Sequence, residues 1–205
     1  EYYTEDAIYC HNEQWCCLDA HSRFNSSSKE ELLAALNEQL DATHQLIHKA
    51  SHIILTLGTS WVYRHVVSDQ IVANCHKIPQ KQFVKELLSV DQISESLEAT
   101  LNLIRTVNPE ANILLTVSPI RHLKDGLVNN TLSKSHLISA IHQLLNQKLW
   151  SNKNAHYFPS YELMMDELRD YRFYESDLLH PTALAIDYIW ETFTSVWLTE
   201  EAVAL

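Results

Sequence analysis

An α/β fold built on a parallel sheet is the architecture that the sequence predicts. Two continuous apolar runs, 52–57 and 112–117, are typical of strands that are buried on both faces. A third, shorter run covers 156–158, and helical patterns separate the three. Only 2 glycines and 5 prolines occur, which argues against a turn-rich all-β fold. We therefore expect strands and helices in alternation, joined by right-handed crossovers.

The helices are predicted from apolar residues at helical spacing and from their first residues. Ser28 and Glu31 form a capping-box pattern at the start of the longest helix. Pro181 is expected at the first position of the last helix, where its missing N–H costs nothing. Residues 1–27 show no regular pattern, and a hairpin is expected around 68–70. The predicted helices cover about 28–51, 79–88, 91–107, 133–149 and 161–168, and the last one follows Pro181.

Length and charge restrict the domain count and the partners. Residues 1–205 are expected to form a single α/β domain. The net charge of −11, from 26 acidic and 15 basic residues, argues against nucleic acid or an anionic membrane surface as a partner. No apolar run reaches the roughly 18 residues that a membrane span needs. The compartment stays open, with the cytoplasm favoured.

Neither a metal nor a cofactor is expected. Of the four cysteines, Cys16 and Cys17 are adjacent, which is poor geometry for two ligands of one tetrahedral ion. No paired C-x-x-C occurs, and the 12 histidines show no H-E-x-x-H spacing. A Gly-rich phosphate loop is also missing from the sequence, which argues against a nucleotide fold.

Asp177 and His180, three residues apart and followed by Pro181, are the candidate catalytic pair. A loop that doubles back over this distance brings the carboxylate to one imidazole nitrogen. The aspartate then selects the tautomer, and the other nitrogen is left to take a proton from a hydroxyl. The alternative is that His180 is only a helix cap and Asp177 only a loop acid. Nearby arginines favour the catalytic interpretation, and Arg172→Ala is expected to loosen this loop.

The carboxyl ends of the predicted strands are where a ligand site is expected. These ends are Gly58–Ser60, Ser118–Pro119 and 158–159, and the loop with Asp177 and His180 leaves from the same side. The arginines near this loop are expected to hold it through ion pairs with neighbouring acids, with binding of a substrate carboxylate as the alternative.

Five motifs in order along the chain resemble the GSCFA family. That family is placed among the SGNH (GDSL-like) hydrolases. The resemblance implies a flavodoxin-like fold, a three-layer α/β/α sandwich with a parallel sheet, and a site that cleaves esters. The motifs are 57–63 (LGTSWVY), 72–77 (VANCHK), 116–122 (TVSPIRH), 157–162 (YFPSYE) and 166–181 (DELRDYRFYESDLLHP).

The resemblance also assigns roles to individual residues. His180 resembles the catalytic base and Asp177 its orienting acid. Gly58 lies in the block where most SGNH enzymes have Gly-x-Asn, but Ser60 stands in place of the Asn, so Asn74 is the candidate to supply the oxyanion-binding amide. Three further residues are expected to support the site: Arg172, His76 and Arg121.

The family's namesake Gly-Ser-Cys-Phe-Ala motif does not occur in these residues. Its serine resembles the SGNH nucleophile, whereas neither Gly58 nor Gly126 directly precedes a serine. In the expected strand order 2-1-3-4-5, only strands 3, 4 and 5 are assigned. We therefore expect strands 1 and 2, with the nucleophile, upstream of Glu1. Alternatively, a homo-oligomer or a companion chain covers the exposed edge of strand 3.

Three functional hypotheses follow. The first is an SGNH-like serine esterase that removes an acyl or acetyl group from a small ester or an acylated glycan, with these residues alone inactive. The second is a non-catalytic module that binds a glycan or a protein. The third places the nucleophile within the chain, at Ser60, Ser118 or Cys75. Pro119 argues against Ser118, because it removes the next backbone N–H.

Overall fold

The computed structural model describes residues 2–147, 150 and 154–203, and it shows a mixed α/β protein. The chain forms two compact units. One contains residues 1–50, 61–88 and 106–109, and the other contains 51–60, 89–105 and 110–205. No helix among the described residues is long and apolar enough to cross a membrane.

The first unit begins with a hairpin and a long helix. Strands β1 (Ile8–His11) and β2 (Gln14–Cys17) pair antiparallel, and helix α1 (Lys29–Lys49) follows. The Ser28 side chain accepts the Glu31 N–H, so the predicted capping start is confirmed. The expectation of irregular structure is wrong for 8–17. The two turn residues, Asn12 and Glu13, both have positive φ (50° and 60°), as tight hairpin turns require, but no glycine signals this turn in the sequence.

A small antiparallel sheet completes the first unit. Strand β4 (Trp61–His65) lies between β5 (Ile71–Val72) and β6 (Phe83–Leu87). The hairpin predicted around 68–70 is confirmed, whereas the helix predicted over 79–88 is wrong. Pairs between neighbouring strands explain the difference. The Lys85 ammonium lies 4.9 Å from the centre of the Trp61 ring, and Arg64 forms an ion pair with Glu86 at 3.0 Å.

The second unit is organised around a parallel sheet, as predicted. Its strands are β3 (His52–Leu57), β7 (Asn112–Val117) and β8 (Ala155–Phe158), in the order β3-β7-β8. Helix α2 (Val90–Val107) runs between β3 and β7, with its last two residues assigned to the first unit. Helix α3 (Leu127–Leu145) connects β7 to β8 and begins six residues earlier than expected. The short α4 (Ser160–Glu162) leads into a π-helical turn (Leu163–Glu167), followed by α5 (Ala183–Trp197) and α6 (Glu200–Val203).

Helices α3 and α5 contact opposite faces of this sheet. His142 of α3 packs against Tyr157 with ring centres 4.9 Å apart. Phe193 of α5 packs against Phe158 at 5.2 Å. Because neighbouring residues of a strand point to opposite faces, the two helices lie on different sides of β8.

Strand β3 lies at one edge of the described parallel sheet, and the surface beside it is apolar. Ile54 of β3 is 52% exposed, and Trp190 of α5 is 56% exposed. Between the sheet and α5 lies an open apolar cavity of about 310 Å³, lined among others by Ile54, Leu114, Phe158, Trp190 and Phe193. The expectation that further strands or a companion chain cover this edge stays a prediction.

Candidate active site

The loop with Asp177 and His180 is closed at its base by backbone hydrogen bonds. Tyr174 and Pro181 form an antiparallel bridge. The Glu175 N–H donates to the His180 carbonyl at 2.8 Å, and the Thr182 N–H donates to the Phe173 carbonyl at 2.9 Å. Thr182 then caps α5, so Pro181 lies just before the cap rather than at the first helical position. His180 is therefore held at a narrow neck directly before the helix.

The carboxylate of Asp177 organises the whole loop. Its Oδ2 lies 2.6 Å from His180 Nδ1. Its Oδ1 accepts the N–H groups of Leu179 and His180, at 2.8 and 3.0 Å. The His180 backbone bond, the bond to the imidazole and the Leu179 bond lower the pKa of Asp177 to about 2. The carboxylate is therefore ionised at neutral pH.

The ionised carboxylate determines the tautomer of His180. A carboxylate can only accept hydrogen bonds, so Nδ1 of His180 carries a proton. In the neutral imidazole, Nε2 then holds a lone pair. Within the described part of the chain Nε2 has no hydrogen-bond partner, and the side chain is 54% exposed. The arrangement can take a proton from an incoming hydroxyl at Nε2.

Leu178, at the tip of the loop, adopts a left-handed backbone conformation. Its φ is 60°, a value that costs roughly 1–2 kcal/mol for a residue other than glycine. The neighbouring bonds to Asp177 and the bridge at the neck hold this conformation in place. The loop geometry is therefore maintained against a local backbone preference.

Lys134, which the sequence did not single out, joins two strand ends at the carboxyl edge of the sheet. Its Nζ donates to the carbonyl oxygens of Gly58 and Ser118, both at 2.6 Å. The side chain is 1% exposed. Burial lowers the pKa of Lys134 to about 8, and the two carbonyl bonds act in the opposite direction because they favour the ammonium form. The sequence signal for this role was a lysine on the apolar stripe of α3. Because the helix was predicted to begin at 133, Lys134 was expected in its first turn, where a charged side chain is common.

Gly58 and Ser60 lie at the same edge, but Ser60 does not face solvent. Ser60 is 1% exposed, and its hydroxyl donates to the Ser133 carbonyl at 3.1 Å. Its backbone N–H donates to Ser133 Oγ at 2.8 Å. A Cβ built on Gly58 would lie 3.6 Å from His122 Nε2. The Ser60 side chain and N–H therefore hold the backbone of this turn, and the oxyanion or substrate role expected for Gly58 and Ser60 stays a prediction.

Arg121 connects the loop after β7 to the loop that carries His180. Its backbone N–H donates to the Leu179 carbonyl at 3.4 Å, and its Nη1 donates to the Leu178 carbonyl at 3.3 Å. Its guanidinium also lies 4.0 Å from the centre of the Tyr174 ring. Through these contacts the carboxyl edge of the sheet supports the loop with Asp177 and His180.

Arg172 has different partners from Arg121. Its guanidinium pairs with Asp170 at 3.1 Å, and its backbone N–H donates to the same carboxylate. These bonds stay within the short 3₁₀ turn before Tyr174. The direct contacts with the loop are therefore those of Arg121, and the supporting role expected of Arg172 stays a prediction.

Asn74 and His76, two further predicted site residues, belong to the first compact unit. Asn74 Oδ1 accepts the His76 N–H at 2.9 Å, and His76 Nε2 donates to the Cys17 carbonyl at 2.7 Å. Burial raises the pKa of the neighbouring Cys75 thiol, which disfavours the thiolate that a nucleophile needs. The oxyanion role of Asn74 and the supporting role of His76 stay predictions.

Among the residues described, no group of three or more His, Cys, Asp or Glu side chains is placed to hold a metal ion. The fold and the site define a mixed α/β protein with an aspartate–histidine pair beside the carboxyl edge of a parallel sheet. A family model described as the GSCFA family matches residues 1–193, and the chain belongs to that family. Neither a curated protein nor a solved structure gives a significant match.

Proposed function

We propose that this protein is a serine esterase of the SGNH kind that removes an acyl or acetyl group from a small ester or an acylated glycan. The observation that carries the proposal is the 2.6 Å contact between Asp177 Oδ2 and His180 Nδ1, in a histidine whose side chain is 54% exposed. This is the orienting-acid and base arrangement of hydrolases with a serine nucleophile. Membership of the GSCFA family is consistent with it.

In the proposed reaction, His180 acts first as a base and then as an acid. Nε2 takes the proton of a serine hydroxyl while the serine oxygen attacks the carbonyl carbon of the ester. Backbone N–H groups near Gly58 stabilise the resulting oxyanion. Collapse of the tetrahedral intermediate expels the alcohol, which receives the proton from Nε2, and water then hydrolyses the acyl-enzyme by the same steps. Asp177 stabilises the imidazolium throughout.

The proposal places the nucleophilic serine upstream of Glu1, on a strand that pairs with the open edge of β3. Support comes from the edge position of β3 and from the exposed apolar side chains beside it. Helices on both sides of β8 support the three-layer sandwich that the proposal assumes.

Fluorophosphonate labelling followed by peptide mass spectrometry tests this proposal. The 205-residue chain and a chain extended upstream are each compared with His180→Ala and with His44→Ala, a control on α1. We expect a labelled serine in the extended chain only, lost in His180→Ala and kept in His44→Ala. A label on Ser60 or Ser118 would overturn the upstream assignment. The absence of a label in both chains would overturn the esterase proposal and favour the non-catalytic binding module.

A further inference from the structure

A small pocket whose wall contains two arginines and one aspartate lies beside the loop that carries His180. It has a volume of about 220 Å³. Arg121 and Arg169 line it together with Tyr171 and Tyr174, and Met164 and Leu168 form an apolar part of its wall. This volume suits one small group and the ring or chain that bears it, since drug-sized ligands occupy roughly 300–1,000 Å³.

The two guanidinium groups in this pocket lack acidic partners. Arg169 forms no hydrogen bond or ion pair with any residue that the structure describes, and Arg121 bonds only to carbonyl groups and to the Tyr174 ring. Asp170, the acid that lines the pocket, is already paired with Arg172. Of the nearby acids, Glu167 accepts a bond from the Tyr188 hydroxyl. The lining of the pocket therefore carries two guanidinium charges against the single carboxylate of Asp170, in a chain with a net charge of −11.

Two residues in the wall of this pocket also contact the loop that carries His180. Arg121, in its wall, bonds to the carbonyl groups of Leu178 and Leu179. Tyr174, also in its wall, forms the backbone bridge with Pro181, next to His180. A ligand held here therefore lies against the loop that carries the proposed base.

We propose that this pocket binds an anionic group of the substrate, a carboxylate or a phosphate, so that the ester acted on at His180 is an acidic one. Guanidinium groups bind both anions through paired N–H donors. Tyr171, which is 69% exposed, offers an aromatic face to the ring that carries the anion. The assignment rests on the proposed function for its link to catalysis, but the binding itself does not need hydrolysis.

Calorimetric titration of the full chain with three hexoses tests the assignment. D-glucose is the neutral probe, D-glucuronate adds a carboxylate, and D-glucose 6-phosphate adds a phosphate. We expect at least one anionic hexose to bind about tenfold more tightly than glucose, and the comparison of the two identifies the anion. Equal affinity for all three would overturn the proposal.

Arg169→Gln locates the binding, because this substitution removes a charge without removing any hydrogen bond to the described residues. We expect it to weaken binding of the anionic hexose about tenfold, whereas Arg23→Gln, a control that lies over Phe24 in the first unit, leaves binding unchanged. Undiminished binding in both Arg169→Gln and Arg121→Gln would overturn the assignment of the anion to this pocket. Failure of fluorophosphonate labelling bears only on the esterase, so the two proposals fail separately.

Discussion

The carboxylate of Asp177 contacts both the ring and the backbone of His180, through Oδ2 to Nδ1 at 2.6 Å and through Oδ1 to the N–H at 3.0 Å. One side chain therefore fixes the position of the histidine and the tautomer of its ring. Because the loop closes on itself between Asp177 and His180, its geometry does not depend on a distant acid.

The neutral imidazole of His180 should carry its proton on Nδ1. In Asp177→Asn the amide can donate to Nδ1, so the proton should move to Nε2 and the ring should lose its capacity as a base at that atom. Imidazole ¹⁵N shifts, assigned by the loss of the signal in His180→Asn, measure this. An unchanged tautomer in Asp177→Asn would show that the aspartate does not select it.

The loop should persist in acid well below the usual range for aspartate. The pKa of Asp177 falls from 3.8 to about 2 in the folded chain, so its contribution to stability is complete above about pH 3.8 and is lost as the pH falls through about 2. We expect the ¹³Cγ shift of Asp177 and the amide shifts of Leu179 and His180 to stay constant from pH 5 to pH 3. A midpoint near 3.8 would contradict the bonds to this carboxylate.

Lys134→Met should destabilise the protein by about 2 kcal/mol. The substitution removes the cost of burying an ammonium group, but the carbonyl oxygens of Gly58 and Ser118 lose their side-chain donor. Urea unfolding measures the change. Ser135→Ala is the control, since that exposed hydroxyl bonds only to its own helix at Thr131. A Lys134→Met variant as stable as this control would rule out a structural role for the ammonium.

The same lysine should leave a signature at alkaline pH. Its folded-state pKa of about 8 lies below the ordinary 10.5, so the unfolded chain binds more protons between these values and stability rises with pH there. The difference in unfolding free energy between wild type and Lys134→Met should therefore shift in favour of wild type from pH 8 to pH 10. A flat difference would mean that the carbonyl bonds cancel the effect of burial.

Replacement of a leucine by glycine should have opposite effects at two exposed positions. At Leu178, where φ is 60°, glycine adopts the left-handed conformation without the steric cost that leucine has. The free energy of unfolding should therefore be unchanged or raised by up to about 1 kcal/mol. At Leu103, 69% exposed on α2, the same change should cost about 1 kcal/mol. Thermal unfolding of both variants provides the comparison. Equal losses would show that the Leu178 side chain, rather than its backbone, matters.

Arg121, rather than Arg172, should control the mobility of the loop. Arg121→Gln removes the guanidinium contacts with the Leu178 carbonyl and the Tyr174 ring. We expect hydrogen exchange of the Leu179 and His180 amides to rise about tenfold, which corresponds to about 1.4 kcal/mol. Arg172→Gln removes the exposed pair with Asp170 and the contact with the Phe173 ring but no bond to the loop, so it should change these rates little. The reverse order would instead support the expectation that Arg172 holds this loop.

The parallel strands could be predicted because their apolar runs are continuous, and the Asp177–His180 contact because it is local. Phe83–Leu87 could not, since its strand depends on pairing with Trp61–His65, which no local pattern reveals. Lys134 was missed because the helix was predicted to begin at 133, which placed this lysine in the first turn rather than on the apolar stripe of α3. The pocket beside Tyr174 likewise requires Arg121 and Arg169 to be brought together by the fold.

The distances along the chain between bonded partners differ sharply across the site. Asp177 and His180 are 3 residues apart, whereas Lys134 and Gly58 are 76 apart. Closing a short loop loses little chain entropy, and distant contacts form late in folding. The Asp177–His180 contact should therefore form early, within its own loop. The bonds from Lys134 to Gly58 and Ser118 can form only after β3, β7 and α3 have packed together. During refolding, the chain would acquire a correctly oriented histidine before it acquires the sheet edge that supports the histidine's loop.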